Sequence, residues 1–187
     1  MSQQATADGQ SDGLPVKIGA AVGFGAFFVG YILTYVLATV DSDLDFGGEE
    51  HTMELIGLLF YNSHFVDAEL SLAGESETVN LLSEESTQIP ELVYNLVPVL
   101  VLIGAGYLVA SRAAALATDG DAAKAGATVV IGYLPAAAVG TAIFEISEGE
   151  EMFRLTAAPD FTMAIVLAGL AFPLVLGAVG GYIARQS

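Results

Sequence analysis

The sequence predicts an all-α membrane protein: a four-transmembrane-helix bundle with a small extracellular α/β cap, a short helix plus a β-hairpin, between helices 1 and 2. Three observations lead there. Four runs, Ile18–Val40, Leu92–Ala110, Ala125–Phe144 and Phe161–Ala184, contain no Lys, Arg, Asp or Glu. Each is near the ~20 residues that carry a helix across ~30 Å of hydrocarbon, where lipid satisfies no backbone donor or acceptor. Mean hydropathy is +0.64 with only 14% of residues charged, against about a quarter in soluble domains. Thirteen of the 22 acidic residues are gathered between the first two runs, in Asp41–Glu91.

Residues 1–14 are polar and rich in Gly, Ser and Gln, a disordered cytoplasmic tail by composition. The rest, 15–187, is one bundle with helices at about 17–40, 90–116, 122–145 and 159–184 and an extracellular insert at 41–89. The first run is too long for the apolar core of a cleaved signal and reads as a retained anchor. Its Gly19, Gly23 and Gly30, with Gly177 and Gly181 in the fourth run, fall at the small-residue spacing that lets helices approach closely.

The insert opens with the solvated turn Asp-Ser-Asp-Leu-Asp. Glu50–Asn62 predicts a helix, because Met53, Ile56, Leu59 and Phe60 share a face at 3.6-residue spacing. Phe65–Ala73 alternates Val66, Ala68, Leu70 and Leu72 with polar residues, a half-buried strand; Thr78–Leu82 returns as its partner after the turn Ala-Gly-Glu-Ser. A lone hairpin is marginal in water, so its apolar face needs the helix, the second outer loop or another molecule. Pro90 opens the second membrane helix at a position where its missing N–H costs nothing. Asp121 is placed to cap the third helix, and Pro159 to start the fourth. Pro98, Pro135 and Pro173 lie inside three helices, where each removes a hydrogen bond and kinks the chain. Two readings stand: ordinary prolines of the kind membrane helices tolerate, or a bundle splayed toward its outer end.

The basic residues set the orientation. Lys17, Arg112, Lys124 and Arg185 flank the segments on one side and Arg154 alone the other, which places both termini in the cytoplasm of a multi-pass cell-membrane protein. The outer segments then hold 18 acids and the inner ones four. A net charge of −17 is self-repelling in ordinary salt but screened within ~3 Å at molar salt, the composition of a halophile. The acidity excludes nucleic-acid binding, which needs a basic footprint.

Chemistry-bearing motifs are scarce. The chain has no cysteine, which excludes disulfides, thiolate catalysis and zinc–sulfur sites. No GxSxG, P-loop, HExxH or dinucleotide motif occurs, so no enzyme, catalytic residue, cofactor or metal is expected. His51 with Glu54 and Glu50 supplies too few ligands for a metal. The charged groups that ion-coupled carriers place at depth are missing from the runs; Tyr31, Thr34, Tyr35, Tyr107, Thr128, Tyr133 and Thr141 are read as interhelical hydrogen-bonders. The dense cluster Phe60, Tyr61, Asn62, Ser63, His64, Phe65 has two readings. One is a helix end with Asn62 as its C-cap and aromatics against the bundle. The other is an interaction surface formed by Phe60, Tyr61, Asn62, His64 and Phe65.

The stretch Gly57-Leu-Leu-Phe60-Tyr61-Asn62-Ser-His64-Phe65-Val66, with Gly132-Tyr133-Leu134-Pro135, resembles a family of haloarchaeal four-helix membrane proteins of uncharacterised function. That resemblance implies an envelope topology and no activity. The layout is also similar to that of claudin-like proteins in architecture, without their paired loop cysteines and tryptophan. The function expected is a non-enzymatic membrane protein of a halophilic archaeon. Its acidic extracellular cap would mediate contact with a protein partner or a second copy in the cell envelope. The alternative is a small transporter or channel subunit.

Overall fold

The computed structural model of the chain describes residues 14–44, 51–72, 74–84, 87–113, 116–149 and 154–187. The expected disordered tail, apart from Leu14, lies outside the described residues, as do Glu50 and Ala73 of the insert. The protein is mostly helical. Among the described residues, four helices are long and apolar enough to cross a membrane: Val16–Val40, Glu91–Arg112, Asp119–Ile143 and Phe161–Gln186.

The first is α1, Val16–Val40. After it come α2 (Thr52–Asn62), β1 (Ala68–Leu72), β2 (Glu75–Val79), the short α3 (Leu81–Glu84) and α4 (Glu91–Arg112). The third span is two helices, α5 (Asp119–Ala127) and α6 (Val130–Ile143). They are joined at Thr128 and Val129 by bonds that reach back three residues rather than four, the tighter 3₁₀ turn. Strands β3 (Ile146–Glu148) and β4 (Leu155–Pro159) follow. The last span begins as α7 (Phe161–Met163), widens into a π segment over Ala164–Ala171 and ends as α8 (Phe172–Gln186).

The π segment has a local cause. Pro173 has no N–H and its ring crowds the carbonyl four residues back. The preceding turns bond five residues back instead, Phe172 N–H reaching Leu167 O, which moves the backbone away from the ring. Asp160 caps this helix, its carboxylate accepting from Met163 N–H at 2.8 Å. At the other end of the bundle the cap of α5 is Thr118, not Asp121. Thr118 Oγ1 accepts from Asp121 N–H at 3.1 Å while Asp121 returns a bond to Thr118 N–H. Asp121 is the third member of a capping box, because the helix starts two residues before it.

Around the bundle the order is α1, α4, α8, then α5 and α6, which return to α1. The end that holds the chain termini is sealed by glycine. A Cβ at Gly19 would collide with Thr128, at Gly126 with the backbone of Gly177 and Gly181, and at Gly181 with the Ala122 carbonyl. Main chains therefore touch directly there.

The opposite end carries a four-stranded antiparallel sheet of order β2-β1-β4-β3. A hairpin is present in the insert, but its second strand is Glu75–Val79 rather than Thr78–Leu82, and Leu81 and Leu82 belong to α3; the second outer loop extends the sheet. Leu70 sits between Glu77 on β2 and Ala157 on β4. The face bearing Ala68, Leu70, Val79, Ala157 and Ile146 packs on Leu55 and Leu58 of α2. The cap is therefore one sheet drawn from two loops, and it reaches the bundle through α2.

Candidate functional site

The sequence predicts a helix over Glu50–Asn62 with Met53, Ile56, Leu59 and Phe60 on one apolar face. Instead, every residue from Ile56 to Asn62 is buried. Leu55–Tyr61 is an unbroken apolar run, and a helix that is apolar all round belongs inside a core. Its partners show where it goes. Phe60 lies against Gly30, whose missing side chain makes the space, and meets Phe27 edge-on at 5.1 Å between centroids. Gly57 faces the ring of Phe144 so closely that no Cβ fits. Tyr31 Oη donates to Met53 O at 3.1 Å. Phe27 lies 13 residues before the end of α1 and Tyr133 ten before the end of α6. At 1.5 Å per residue the tip of α2 is thus about 15 Å inside the bundle.

The tip ends in a Schellman motif. Val66 N–H bonds to Tyr61 O and Phe65 N–H to Asn62 O, with Phe65 left-handed at φ 60°. Phe65 therefore holds the position normally taken by glycine. Asn62, expected as the C-cap, lies a turn earlier. Its side chain is a buried clasp: Nδ2 donates to Val66 O at 2.8 Å and Oδ1 accepts from Leu81 N–H at 3.0 Å. That clasp ties the helix end to the lead-in of β1 and to α3.

His64 follows, with no solvent exposure. Its Nδ1 is 2.8 Å from Phe60 O and its Nε2 is 2.8 Å from Tyr133 Oη. A carbonyl only accepts, so Nδ1 carries the proton; Nε2 then accepts from the Tyr133 hydroxyl. Both ring nitrogens are satisfied and the imidazole is neutral. Phe60, Tyr133 and Phe172 surround it at 4.8, 6.0 and 5.2 Å between centroids. One residue before Asn62, Tyr61 Oη donates to Ala137 O, and Ser63 Oγ donates to Phe60 O at 2.6 Å. The sequence argument that no ionisable group sits at depth holds for the four runs and fails for the molecule, because the insert carries one in.

These facts correct the expected interaction surface. Phe60, Tyr61, Asn62 and His64 are at most 1% exposed, and Phe65 alone is open, at 57%. The cluster is spent on contacts within the chain. Of the polar residues read as interhelical, Tyr31 and Tyr133 reach α2 and the turn after it, while Thr128 and Thr141 bond within their own span. The five glycines all lie at close approaches, Gly23 against Val129 O and Gly177 against Gly126.

One buried group at the sheet end had no signal in its neighbours. Asp41, directly after α1, is 3% exposed. Its carboxylate accepts from Gln88 N–H at 2.9 Å, Ile89 N–H at 3.0 Å, Asp43 N–H at 3.2 Å and Tyr94 Oη at 3.2 Å. Burial pushes the carboxyl up, and these donors more than offset it, leaving Asp41 below its ordinary range. Asp41 thus ties the end of α1 to the start of α4. His51, left-handed at the start of α2, places Nε2 3.1 Å from Glu148 of β3.

The chain belongs to DUF7978, a family of unknown function whose model matches residues 1–187. No curated protein and no solved structure matches it.

Proposed function

We propose that this family member is a non-enzymatic, multi-pass integral membrane protein whose acidic extracellular sheet binds a protein partner or a second copy in the cell envelope. The observation that carries the reading is the mounting of the sheet. One of its faces rests on a helix anchored deep in the bundle; the other bears Glu69, Ser71, Ser76, Thr78, Ser147 and Thr156. Ser76, Ser71, Thr156 and Ser147 form a single row across all four strands. A rigid polar platform joined to an apolar bundle suits presentation better than turnover. The orientation follows the basic residues: Lys17, Arg112, Lys124 and Arg185 belong to the glycine-sealed end, which faces the cytoplasm. The charge of −17 fits an archaeal envelope at high salt, where such a surface stays soluble.

The absence of native cysteine makes the test clean. Ser76→Cys in the full chain, coupled to a photo-crosslinker in native membranes at high salt, is expected to trap one partner in stoichiometric yield. A solitary monomer under those conditions overturns the reading.

A second reading, a small transporter or channel subunit, is favoured by one feature: the ionisable His64 held among the apolar helices, where such groups mark solute or proton routes. Ion flux into liposomes that is lost in His64→Gln supports it. Tight vesicles with the unaltered chain remove it.

A further inference from the structure

We propose that α2 is a plug seated in the bundle, and that protonation of His64 releases it toward the sheet end. The inference rests on the geometry of α2 and is independent of whether the sheet docks a partner.

Three features converge on α2. The spans around its seat carry prolines, Pro98 in α4, Pro135 in α6 and Pro173 at the start of α8 behind the π segment, and each removes a helical hydrogen bond. Its ends are the two left-handed non-glycine residues among the described residues, His51 at φ 63° and Phe65 at φ 60°. Such positions are sparsely populated and gather at segments that move. At its tip α2 bonds to α6 through Tyr61 Oη to Ala137 O and Tyr133 Oη to His64 Nε2. Nearer its start Tyr31 of α1 donates to Met53 O, and the Asn62 clasp joins it to the β1 lead-in and α3 rather than to the spans.

His64 is the weak point of that seat. A proton added at Nε2 turns an acceptor into a donor, and the Tyr133 hydroxyl must turn to accept from it. The larger consequence is charge. The elements packed around the imidazole are α2, α6 and α8, with α1 behind them. Helices α1, α6 and α8 contain no Asp or Glu, and α2 contains only Glu54, ten positions before His64; Asp67, three positions after it, is exposed and its carboxylate accepts from Asn80. Their cations, Lys17 and Arg185, belong to the far end. The imidazolium would be a buried charge with no counter-charge, which proteins avoid by neutralising or by exposing the group. The termini end is closed by main-chain contacts at Gly126, Gly177 and Gly181, so exposure runs toward the sheet, with His51 and Phe65 absorbing the change.

Hydrogen exchange on the full chain in lipid nanodiscs tests this, comparing neutral pH with about pH 4 after correction for intrinsic rates. Amides of residues 57–66 are expected to lose at least about tenfold in protection at the lower pH, while those of α4 and α8 keep theirs. His64→Gln should keep the neutral protection and show no pH response. Unchanged protection in the native chain overturns the proposal, and so does an equal loss in His64→Gln or a loss shared by the whole bundle. Should His64→Gln not fold, Tyr133→Phe decides. It removes a bond that the seated neutral imidazole makes and the released imidazolium does not, so protection must be lost at a higher pH than in the native chain. An unshifted midpoint overturns the proposal.

Discussion

At the end that carries the termini, α8 meets α4 and α5 through Gly106, Gly126, Gly177 and Gly181, main chain against main chain. At the sheet end the same spans stand far enough apart to admit an entire helix. The first end is closed by removing side chains, the second by importing them. Glycine contacts need no additional chain, but they tolerate no additional atom. An inserted helix brings further polar groups, His64 and Asn62, in beside Tyr133 of the spans.

The contrast is broken most severely by adding a side chain at the sealed end. Gly126→Val would drive a Cβ into the carbonyl of Gly177 and the backbone of Gly181. Two helices would have to separate, and the cost should exceed the ~1–3 kcal/mol of ordinary overpacking. The expected result is loss of the monodisperse peak in size-exclusion chromatography. Gly104→Val, with open space around its Cβ, should leave the peak unchanged.

At the filled end the largest single effect is expected from Phe60→Ala. Phe60 is fully buried between Phe27, Tyr31 and His64, and truncating such a ring costs about 3–5 kcal/mol. The melting temperature should fall while the helical content of the spans survives. If the bundle lost its helices as well, α2 would be part of the frame rather than an occupant.

Asp41 gives a smaller effect with a pH signature. Its carboxyl titrates below its ordinary value of 3.8 in the fold, so folding favours the ionised form. The stabilisation is complete above that value and fades as pH falls through the lower folded one. Asp41→Asn should lower stability by about 1–3 kcal/mol at neutral pH, and the difference from the native chain should shrink in acid. A constant difference would mean that the four donors are not engaged by a charge.

How much of this was legible can be stated from particular residues. The four spans were, because the absence of charge over twenty residues has few other causes. The strand Ala68–Leu72 was, from its alternation. Strand β4 was not: Leu155–Pro159 is short and made mostly of small residues, and its partner β1 lies more than eighty positions earlier. The depth of α2 was misjudged because Met53, Ile56, Leu59 and Phe60 satisfy an amphipathic pattern. The unbroken run Leu55–Tyr61, with Gly57 inside it, was the signal for burial on all sides. The pairing of His64 with Tyr133 spans 69 residues, and no local pattern encodes it.

The smallest effect is expected where α2 emerges into water. His51 bridges to Glu148 at 3.1 Å, but the two side chains are 29% and 56% exposed. Pairs of this kind contribute at most about 1 kcal/mol, and molar salt screens much of that. His51→Gln should therefore shift the melting temperature very little, and less in high salt than in low. The position has a second property, its left-handed backbone at φ 63°, which glycine adopts without strain. His51→Gly removes the same contact and relieves the backbone, so it should be the more stable of the two variants. The reverse order would mean that the imidazole, rather than the turn, holds the outer end of α2 in place.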